Sequence, residues 1–196
     1  MSKSPHESMG QAFKLAQKVL AKDESHTDAL DLLGFIYEVK GEREKAIAEY
    51  EKAIDLDPNK SRSYKHLANT LTSERRPQEA IALLKKSMRL SPLSKRQASG
   101  CLWRLGRAYR NMGQYDEALS ASKNALNLRS DDLTIHLELA VTYIHLGREE
   151  EARAAAAEIL RISPKFSVKN MKYYFVYKNK ADTERDIEAL RKAGLK

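Results

Sequence analysis

The feature that most constrains this chain of 196 residues is a pattern that recurs every 34 positions. Its first copy begins with Leu33-Gly34, places Tyr37 three residues after the glycine, and closes at Pro58. The later copies begin at Leu67-Ala68, Leu105-Gly106 and Leu139-Ala140. Four extra residues, near Ser94 to Gln97, separate the second copy from the third. Because the four copies keep one phase, the sequence predicts an array of short units that stack on their neighbours.

The order of residues within each unit resembles the tetratricopeptide signature: leucine, glycine, two variable residues and tyrosine, then alanine, then proline. The resemblance implies an all-α fold, a right-handed superhelical solenoid of helical hairpins. In such a hairpin the small residue lets the second helix approach the first closely, and the tyrosine fills the space beside the next hairpin. Glycine or proline marks the turn inside each hairpin, at Gly41, Pro77, Gly113 and Gly147.

The same phase predicts the limits of the units, which together form a single domain over residues 10–196. The full repeats are residues 27–60, 61–94, 99–132 and 133–166. Residues 10–26 are expected to form a half-repeat helix, because Ala12, Ala16 and Val19 hold the places of Ala46, Tyr50 and Ala53 one period later. Residues 1–9 are expected to be a disordered or tag-like N-terminus.

The last segment, residues 167–196, is predicted to cap the array. It contains an aromatic cluster made of Tyr173, Tyr174, Phe175 and Tyr177. A final helix is expected from Asp182 to Ala193, with a cap at Asp182-Thr183 and an end at Gly194. The aromatic residues either seal the last hydrophobic face or join neighbouring lysines in a nucleic-acid surface.

Composition excludes several classes of protein. No stretch reaches the roughly 18 apolar residues that a membrane span requires, and the single cysteine, Cys101, fits a reducing cytoplasm. The sequence contains no glycine-rich phosphate loop, no metal-ligand spacing among its five histidines and no nucleophile beside a base. We therefore expect no enzyme activity, no metal and no cofactor.

The groove on the concave side of the array is where we expect function. In the tetratricopeptide pattern the second, fifth, ninth and twelfth residues of each unit face this groove, which here changes from acidic to basic to apolar along the array. The candidate binding residues are Phe35, Arg62, Lys65, Asn69, Trp103, Arg107, Arg110, Leu137, Val141 and Ile144. Trp103 is equally compatible with a stacking role in the groove and with packing between units.

The partner predicted for this groove is a protein or peptide with an acidic segment. Residues 61–98 contain nine basic and two acidic residues, a net charge of +7, and a basic concavity attracts carboxylates. Lys65 and Asn69 match the first two positions of the carboxylate clamp of chaperone-binding tetratricopeptide domains. Arg104, Thr134 and Glu138 depart from its other positions, so the full clamp is absent.

Three segments resemble one particular family. These are residues 79–92, residues 146–168 and the ending YKNKADTERDIEALRKAGLK. They are similar to the C-terminal repeat region of bacterial class III adenylate/guanylate cyclase-type proteins, although no segment matches the catalytic domain. The resemblance implies the scaffold or regulatory part of a signalling protein. Two alternatives stay open: a solenoid that binds nucleic acid through residues 61–98 and the tail, against which the absence of a basic-aromatic pattern argues, and a module for self-association.

Overall fold

The computed structural model describes residues 5–90, 94–173 and 177–196. This part of the chain contains ten α-helices, one 3-10 helix at Val168–Tyr173 and no β-strand. The α-helices are α1 Pro5–Leu20, α2 Thr27–Lys40, α3 Arg43–Leu56, α4 Ser61–Ser73, α5 Pro77–Leu90, α6 Lys95–Asn111, α7 Tyr115–Leu128, α8 Leu133–His145, α9 Glu149–Ile162 and α10 Lys180–Lys192.

The helices pack as consecutive hairpins. Helix α2 pairs with α3, α4 with α5, α6 with α7 and α8 with α9, and each hairpin packs against the next one in sequence order. The first helices of successive hairpins, α2, α4, α6 and α8, also contact one another and form one layer. The predicted all-α solenoid is therefore confirmed.

Close approach inside the hairpins depends on the small residue that the period places on each first helix. A Cβ atom added to Gly34 would lie 2.6 Å from the Tyr50 ring, so α2 and α3 can pack only if this residue has no side chain. Ala68 and Ala140, at the same place in their repeats, are completely buried. The sequence pattern thus has a steric cause, since a larger residue at these positions would separate the two helices.

Three of the four turns inside the hairpins use glycine in the left-handed conformation. Gly41, Gly113 and Gly147 have φ angles of 79°, 75° and 70°. The corresponding residue of the second hairpin is Arg75, which adopts a φ of 64°. A residue with a Cβ atom has a steric penalty of about 1–2 kcal/mol in this conformation.

Replacing Arg75 with glycine is therefore expected to stabilise the protein by about 1 kcal/mol, because the steric penalty disappears and only part of it is offset by the greater freedom of glycine in the unfolded chain. The Arg75 side chain is largely exposed in its ion pair with Asp182, at 3.3 Å, so this pair contributes little. Thermal unfolding followed by circular dichroism should show a melting temperature about 2–4 °C higher. Gly41→Arg is the matched control and should lower it, whereas a lower melting temperature for Arg75→Gly would contradict the explanation.

The four extra residues between the second and third repeats lengthen a helix. Helix α6 begins at Lys95, one turn before the predicted start of its repeat at residue 99, and has 17 residues where the other first helices have 13 or 14. The Ser94 side chain accepts a hydrogen bond from the backbone N–H of Gln97, whose side chain accepts one from the N–H of Ser94. Pro92, which corresponds to Pro58 one period later, lies outside the described residues.

The N-terminal half-repeat forms α1, which packs against α2. This helix begins at Pro5, so residues 5–9 are helical although the sequence predicted disorder there. Ala16 is buried between the two helices, and the rings of Phe13 and Tyr37 meet edge to face with their centres 5.9 Å apart.

The C-terminal segment returns along the layer of first helices. The N–H of Lys178 donates to the carbonyl of Ser73 in the second repeat, at 3.0 Å, and α10 then runs back to pack against α8. The N–H of Val168 donates to the carbonyl of Lys196, at 2.9 Å, beside the fourth repeat. The cap of α10 is Asn179, whose side chain accepts the N–H of Ala181, and not the predicted Asp182-Thr183.

Among the helices in the described residues, none combines the length and the apolar character that crossing a membrane requires.

Candidate functional site

A cleft of about 330 Å³ lies between the first helices of repeats one, two and three. Of the candidate binding residues predicted on α2, α4 and α6, the cleft brings together Phe35, Asn69, Trp103 and Arg107, whereas Arg62, Lys65 and Arg110 are not in its walls. Its walls are formed by Phe35, Glu38 and Val39 on α2, Arg43 on α3, His66, Asn69, Thr70 and Ser73 on α4, and Trp103, Arg104 and Arg107 on α6.

Part of the cleft wall is apolar and open to solvent. Phe35 is 46% exposed and Val39 is 53% exposed, which is unusual for large apolar side chains next to a cavity. Trp103 is half-buried, lines the cleft and also packs against the core of repeats three and four. The guanidinium groups of Arg104 and Arg107 lie 4.2 and 5.2 Å from its ring centre, within cation–π distance.

A chain of hydrogen bonds fixes the polar floor of the cleft. The Tyr50 hydroxyl and the Asn69 amide both donate to the Glu38 carboxylate, at 3.3 and 2.5 Å. The Arg107 guanidinium in turn donates to the amide oxygen of Asn69. Asn69 therefore connects α2 to α6 and holds Arg107, which is only 5% exposed, in place.

Two donors in this floor have no acceptor. The Nε–H groups of Arg104 and Arg107 are buried and unpaired within the described residues, although the Nη1 of Arg104 donates to the Gly100 carbonyl at 2.8 Å. Burial and the neighbouring Arg107 charge lower the pKa of Arg104 to about 10, so it stays protonated at neutral pH. A buried donor without a partner costs about 1–3 kcal/mol, which an anionic acceptor in the cleft would recover.

The charge of the cleft is positive. His66 is neutral, because burial and then the charges of Arg104, Lys65 and Arg62 lower its pKa to about 3. Burial raises the pKa of Glu38, which nonetheless faces more than one cation. The positive charges of Arg104 and Arg107 thus outnumber the one negative charge of Glu38. An anion therefore fits this site better than a cation.

Lys65 and Arg62 extend the positive charge from the cleft toward the N-terminal end of α4. Lys65 is half-buried, and burial and then the Arg104 charge lower its pKa. No carboxylate of the described residues lies within 4 Å of its ammonium group. Arg62 is exposed and lies 3.9 Å from the buried carboxylate of Asp31.

Family models of the tetratricopeptide repeat match three segments of the chain, residues 27–60, 49–82 and 109–172. Together they account for more than half of its length, and the match at residues 27–60 coincides with the first hairpin. The chain is a tetratricopeptide repeat protein.

Two curated relatives contain the same repeats. This tetratricopeptide repeat protein is 27% identical over 137 residues to the DnaJ homolog subfamily C member 7 homolog of Schizosaccharomyces pombe, a match that covers 64% of this chain and 29% of that protein. It is 25% identical over 151 residues to the TPR repeat-containing protein YpiA of Bacillus subtilis, covering 77% of this chain and 34% of that protein. The chain thus spans about a third of the length of these relatives.

Solved structures share the fold. PilW, a type IV pilus biogenesis factor, superposes with a TM-score of 0.77 at 16% identity, over 96% of this chain and 84% of PilW. TTC0263 of Thermus thermophilus superposes with a TM-score of 0.70 at 22% identity, over 94% and 93%. YrrB, described as having an unusual peptide-binding site, gives 0.60 at 20% identity, over 91% and 90%. These structures show that the chain shares the tetratricopeptide fold, and the comparisons give no support to an association with adenylate or guanylate cyclases.

The structure moves one predicted groove residue of this tetratricopeptide repeat protein into the interior. Arg110 is buried and donates to the Glu138 carboxylate at 2.6 Å and to the Asp186 carboxylate at 2.8 Å. Its Nη2 also donates to the Tyr177 hydroxyl, at 3.1 Å. These partners occupy the guanidinium, so Arg110 is not available to a ligand.

The predicted apolar end of the groove is also closed. Leu137 and Val141 are completely buried, and Ile144 is half-buried against the same core. The residues that cover this part of the core belong to the C-terminal segment, and include Ile187 and Leu190 of α10. Of the aromatic cluster predicted in this segment, Tyr177 is buried, whereas Tyr174 and Phe175 lie outside the described residues.

Several residues that line the cleft were not among the predicted groove residues, including Arg104 and Val39. Arg104 and Val39 lie outside the four groove-facing positions of their repeats, but their side chains reach the cleft from the edge of the helix face. A signal was present for Arg104, because it falls at a position that the carboxylate clamp uses. Within the described residues, no three His, Cys, Asp or Glu side chains come together as metal ligands would.

Proposed function

We propose that this tetratricopeptide repeat protein binds an acidic, extended segment of a partner protein in the cleft between α2, α4 and α6. The observation that carries the proposal is the pair of buried, unpaired Nε–H donors of Arg104 and Arg107 beside the open apolar side chains of Phe35 and Val39. A ligand that fits this arrangement has a carboxylate for the arginines and an apolar side chain next to it.

Energetics favour a carboxylate at this place. Charge-assisted hydrogen bonds contribute about 1.5–3 kcal/mol each, and the donors are already desolvated and held by Asn69 and Gly100. The apolar neighbour would bury part of Phe35, Val39 and Trp103, side chains of the type that dominate binding energies at interfaces. The two contributions together define an acidic segment that contains an aromatic or aliphatic residue.

Trp103 is the single tryptophan of the chain and lines the cleft, so its fluorescence reports directly on occupancy. Titration should use a short synthetic peptide of aspartate and glutamate residues interrupted by one phenylalanine. Two comparison peptides replace the acids with their amides or the phenylalanine with serine. We expect the first peptide to bind at least about tenfold more tightly than either comparison peptide, a difference of about 1.4 kcal/mol. Equal affinities would contradict the proposal.

The double variant Lys65→Gln, Arg104→Gln is expected to weaken binding of this peptide by at least about tenfold, because it removes one cation from the cleft and one beside it. Both side chains are only half-buried, so circular dichroism should show unchanged helicity. Arg107 is a poorer choice for this test, since it is buried and bonded to Asn69. Lys52→Gln, Lys85→Gln, at exposed sites on α3 and α5, is the matched control and should bind like the native protein.

The role in nucleotide-cyclase signalling is a finer hypothesis that has only the resemblance of three sequence segments as support. Self-association is a separate alternative, and sedimentation at several concentrations distinguishes it from peptide binding by a monomer.

A further inference from the structure

The additional turn at the start of α6, residues 95–98, is a feature that neither the hairpin stack nor the cleft requires. We call it the basic turn. It interrupts the 34-residue period, so the other repeats have no counterpart of it. The reciprocal hydrogen bonds of Ser94 and Gln97, at 3.3 and 3.1 Å, nevertheless fix it as part of the helix.

The charge of the basic turn is unfavourable within the isolated chain. Lys95 and Arg96 are exposed in the first turn of a helix, where the macrodipole disfavours cations, and this turn contains no acid. The sequence has no acidic residue between Glu79 and Asp116. Accordingly, the ion pairs found in the described part of the chain include neither Lys95 nor Arg96. Within the described residues, the positive charges of Lys95 and Arg96 are therefore not balanced by a carboxylate.

The position of Arg96 connects the basic turn to the cleft. Arg96, Gly100, Trp103 and Arg107 follow one another at spacings of four, three and four, which places them on one face of α6. Arg96 lies eight residues before Arg104, about 12 Å along the helix axis. The basic turn thus extends the row of α6 residues that lines the cleft.

We propose that the basic turn steers the acidic segment of the partner protein into the cleft, and that it acts on the association rate. The inference rests on the proposed function. Exposed charges at the rim of a binding site mainly change the rate of association, whereas buried charges at its centre mainly change the rate of dissociation. Lys95 and Arg96 are exposed, so they should mainly affect the association rate. Arg107 is buried, so it should mainly affect the dissociation rate.

The shape of the site favours an acidic protein segment over a nucleic acid. The row leads into a cleft of about 330 Å³, which holds a few side chains and not a duplex. Binding of single strands depends on aromatic side chains on which bases stack, and the basic turn has none.

Stopped-flow measurement of Trp103 fluorescence with the acidic phenylalanine peptide tests the inference. The variant Lys95→Glu, Arg96→Glu is expected to associate about threefold to tenfold more slowly at low ionic strength, with a dissociation rate within about twofold of the native value. The difference should disappear at high salt. Since glutamates suit a helix N-terminus, the variant should melt no lower than the native protein, which separates slower binding from unfolding.

The matched control is Lys14→Glu, Lys18→Glu, two exposed sites on α1 with the same change in charge, and it should associate like the native protein. Binding of the peptide with an unchanged association rate in the basic-turn variant would overturn the inference and leave the proposed function intact. Slowing by the α1 control to the same extent would also overturn it, since net charge would then be the cause. If the native protein fails to bind the peptide but binds a short DNA duplex through Lys95 and Arg96, both proposals are wrong and the turn is a nucleic-acid surface.

Discussion

Replacing Arg110 with methionine is expected to lower the free energy of unfolding by about 3–5 kcal/mol at pH 7, the largest effect of any single substitution that we predict. The guanidinium is fully buried between the carboxylates of Glu138 and Asp186, whose side chains are almost inaccessible to water. Without Arg110 the buried Glu138 carboxylate would have no counter-charge among the described residues, and Asp186 would keep only the partly exposed Arg185, at 3.3 Å. Thermal and urea unfolding followed by circular dichroism would measure the loss.

The pH dependence identifies the cause. In the native protein burial alone would raise the pKa of Asp186, but the charge and hydrogen bonds of Arg110 outweigh it and lower the pKa below its usual value. The stability that this carboxylate contributes is therefore present above about pH 4 and is lost as the pH falls through the lowered pKa. In Arg110→Met burial is opposed only by the partly exposed Arg185 and by the hydrogen bond from Tyr177, so the pKa of Asp186 should rise relative to the native protein. The cost of the buried charge should therefore be smallest below about pH 4 and grow as the pH rises. The deficit of the variant relative to the native protein should consequently be smaller at pH 4 than at pH 7.

Neutralising the whole cluster is the control for this prediction. The triple variant Arg110→Met, Glu138→Gln, Asp186→Asn leaves no uncompensated buried charge and should recover much of the lost stability. Arg62→Met removes an exposed arginine of the same layer of helices and should change stability by no more than about 0.5 kcal/mol. If Arg110→Met were as stable as Arg62→Met, the buried cluster would not hold the C-terminal segment in the way that its geometry indicates.

Gly106→Leu is expected to destabilise the protein by about 1–3 kcal/mol, because it overpacks the third hairpin. Even a Cβ atom at this position would overlap the Ser122 hydroxyl and approach the Ala118 carbonyl oxygen to 3.1 Å. Helix α7 would have to move away from α6 to admit a larger side chain. The melting temperature should fall by roughly 3–10 °C for a domain of this size.

Gly10→Leu provides the same chemical change at an exposed helical site with nothing within 4 Å of the added Cβ. It should raise the melting temperature slightly, since leucine has a higher helix propensity than glycine. A second test combines Gly106→Ala with Ser122→Gly, which removes the closest obstacle and should recover part of what Gly106→Ala loses. Equal stability of Gly106→Leu and the native protein would show that the hairpin contact at this glycine is wrongly assigned.

The repeat phase predicted the hairpins well because each depends on local steric requirements. Gly34 and Gly106 mark close helix contacts, and Gly41 marks a left-handed turn, so the sequence carries the geometry at each position. The same phase predicted that Phe35, Asn69, Trp103 and Arg107 face one groove, and in the structure all four line one cleft. These positions follow from the helical periodicity within one repeat and from the stacking of neighbouring repeats. Both can be inferred from a single sequence.

The prediction from the repeat phase was wrong where the C-terminal segment, which has no counterpart in the repeats, packs against the hairpins. Arg110 and Leu137 occupy groove-facing positions, and periodicity alone treats that groove as empty. Their surroundings are set by Tyr177 and Asp186, which are separated from Arg110 by 67 and 76 residues. One signal was available, because Tyr177 follows Tyr143 by one period, although no unpaired acid could be assigned to Arg110 from spacing alone.

The path of the C-terminal segment changes how the array should unfold. In a linear repeat protein each unit contacts only its neighbours, so stability is close to a sum of local terms and the ends open independently. Here the hydrogen bond from Lys178 to Ser73 and the packing of α10 against α8 join the second repeat to the fourth through the C-terminal segment, and the ion pair of Arg110 with Asp186 joins the third repeat to it. Opening any of these three repeats requires release of that segment, which makes them a single cooperative unit. Helix α1 and the first repeat lie outside this tie, and form the part of the molecule that can open locally while the remainder stays folded.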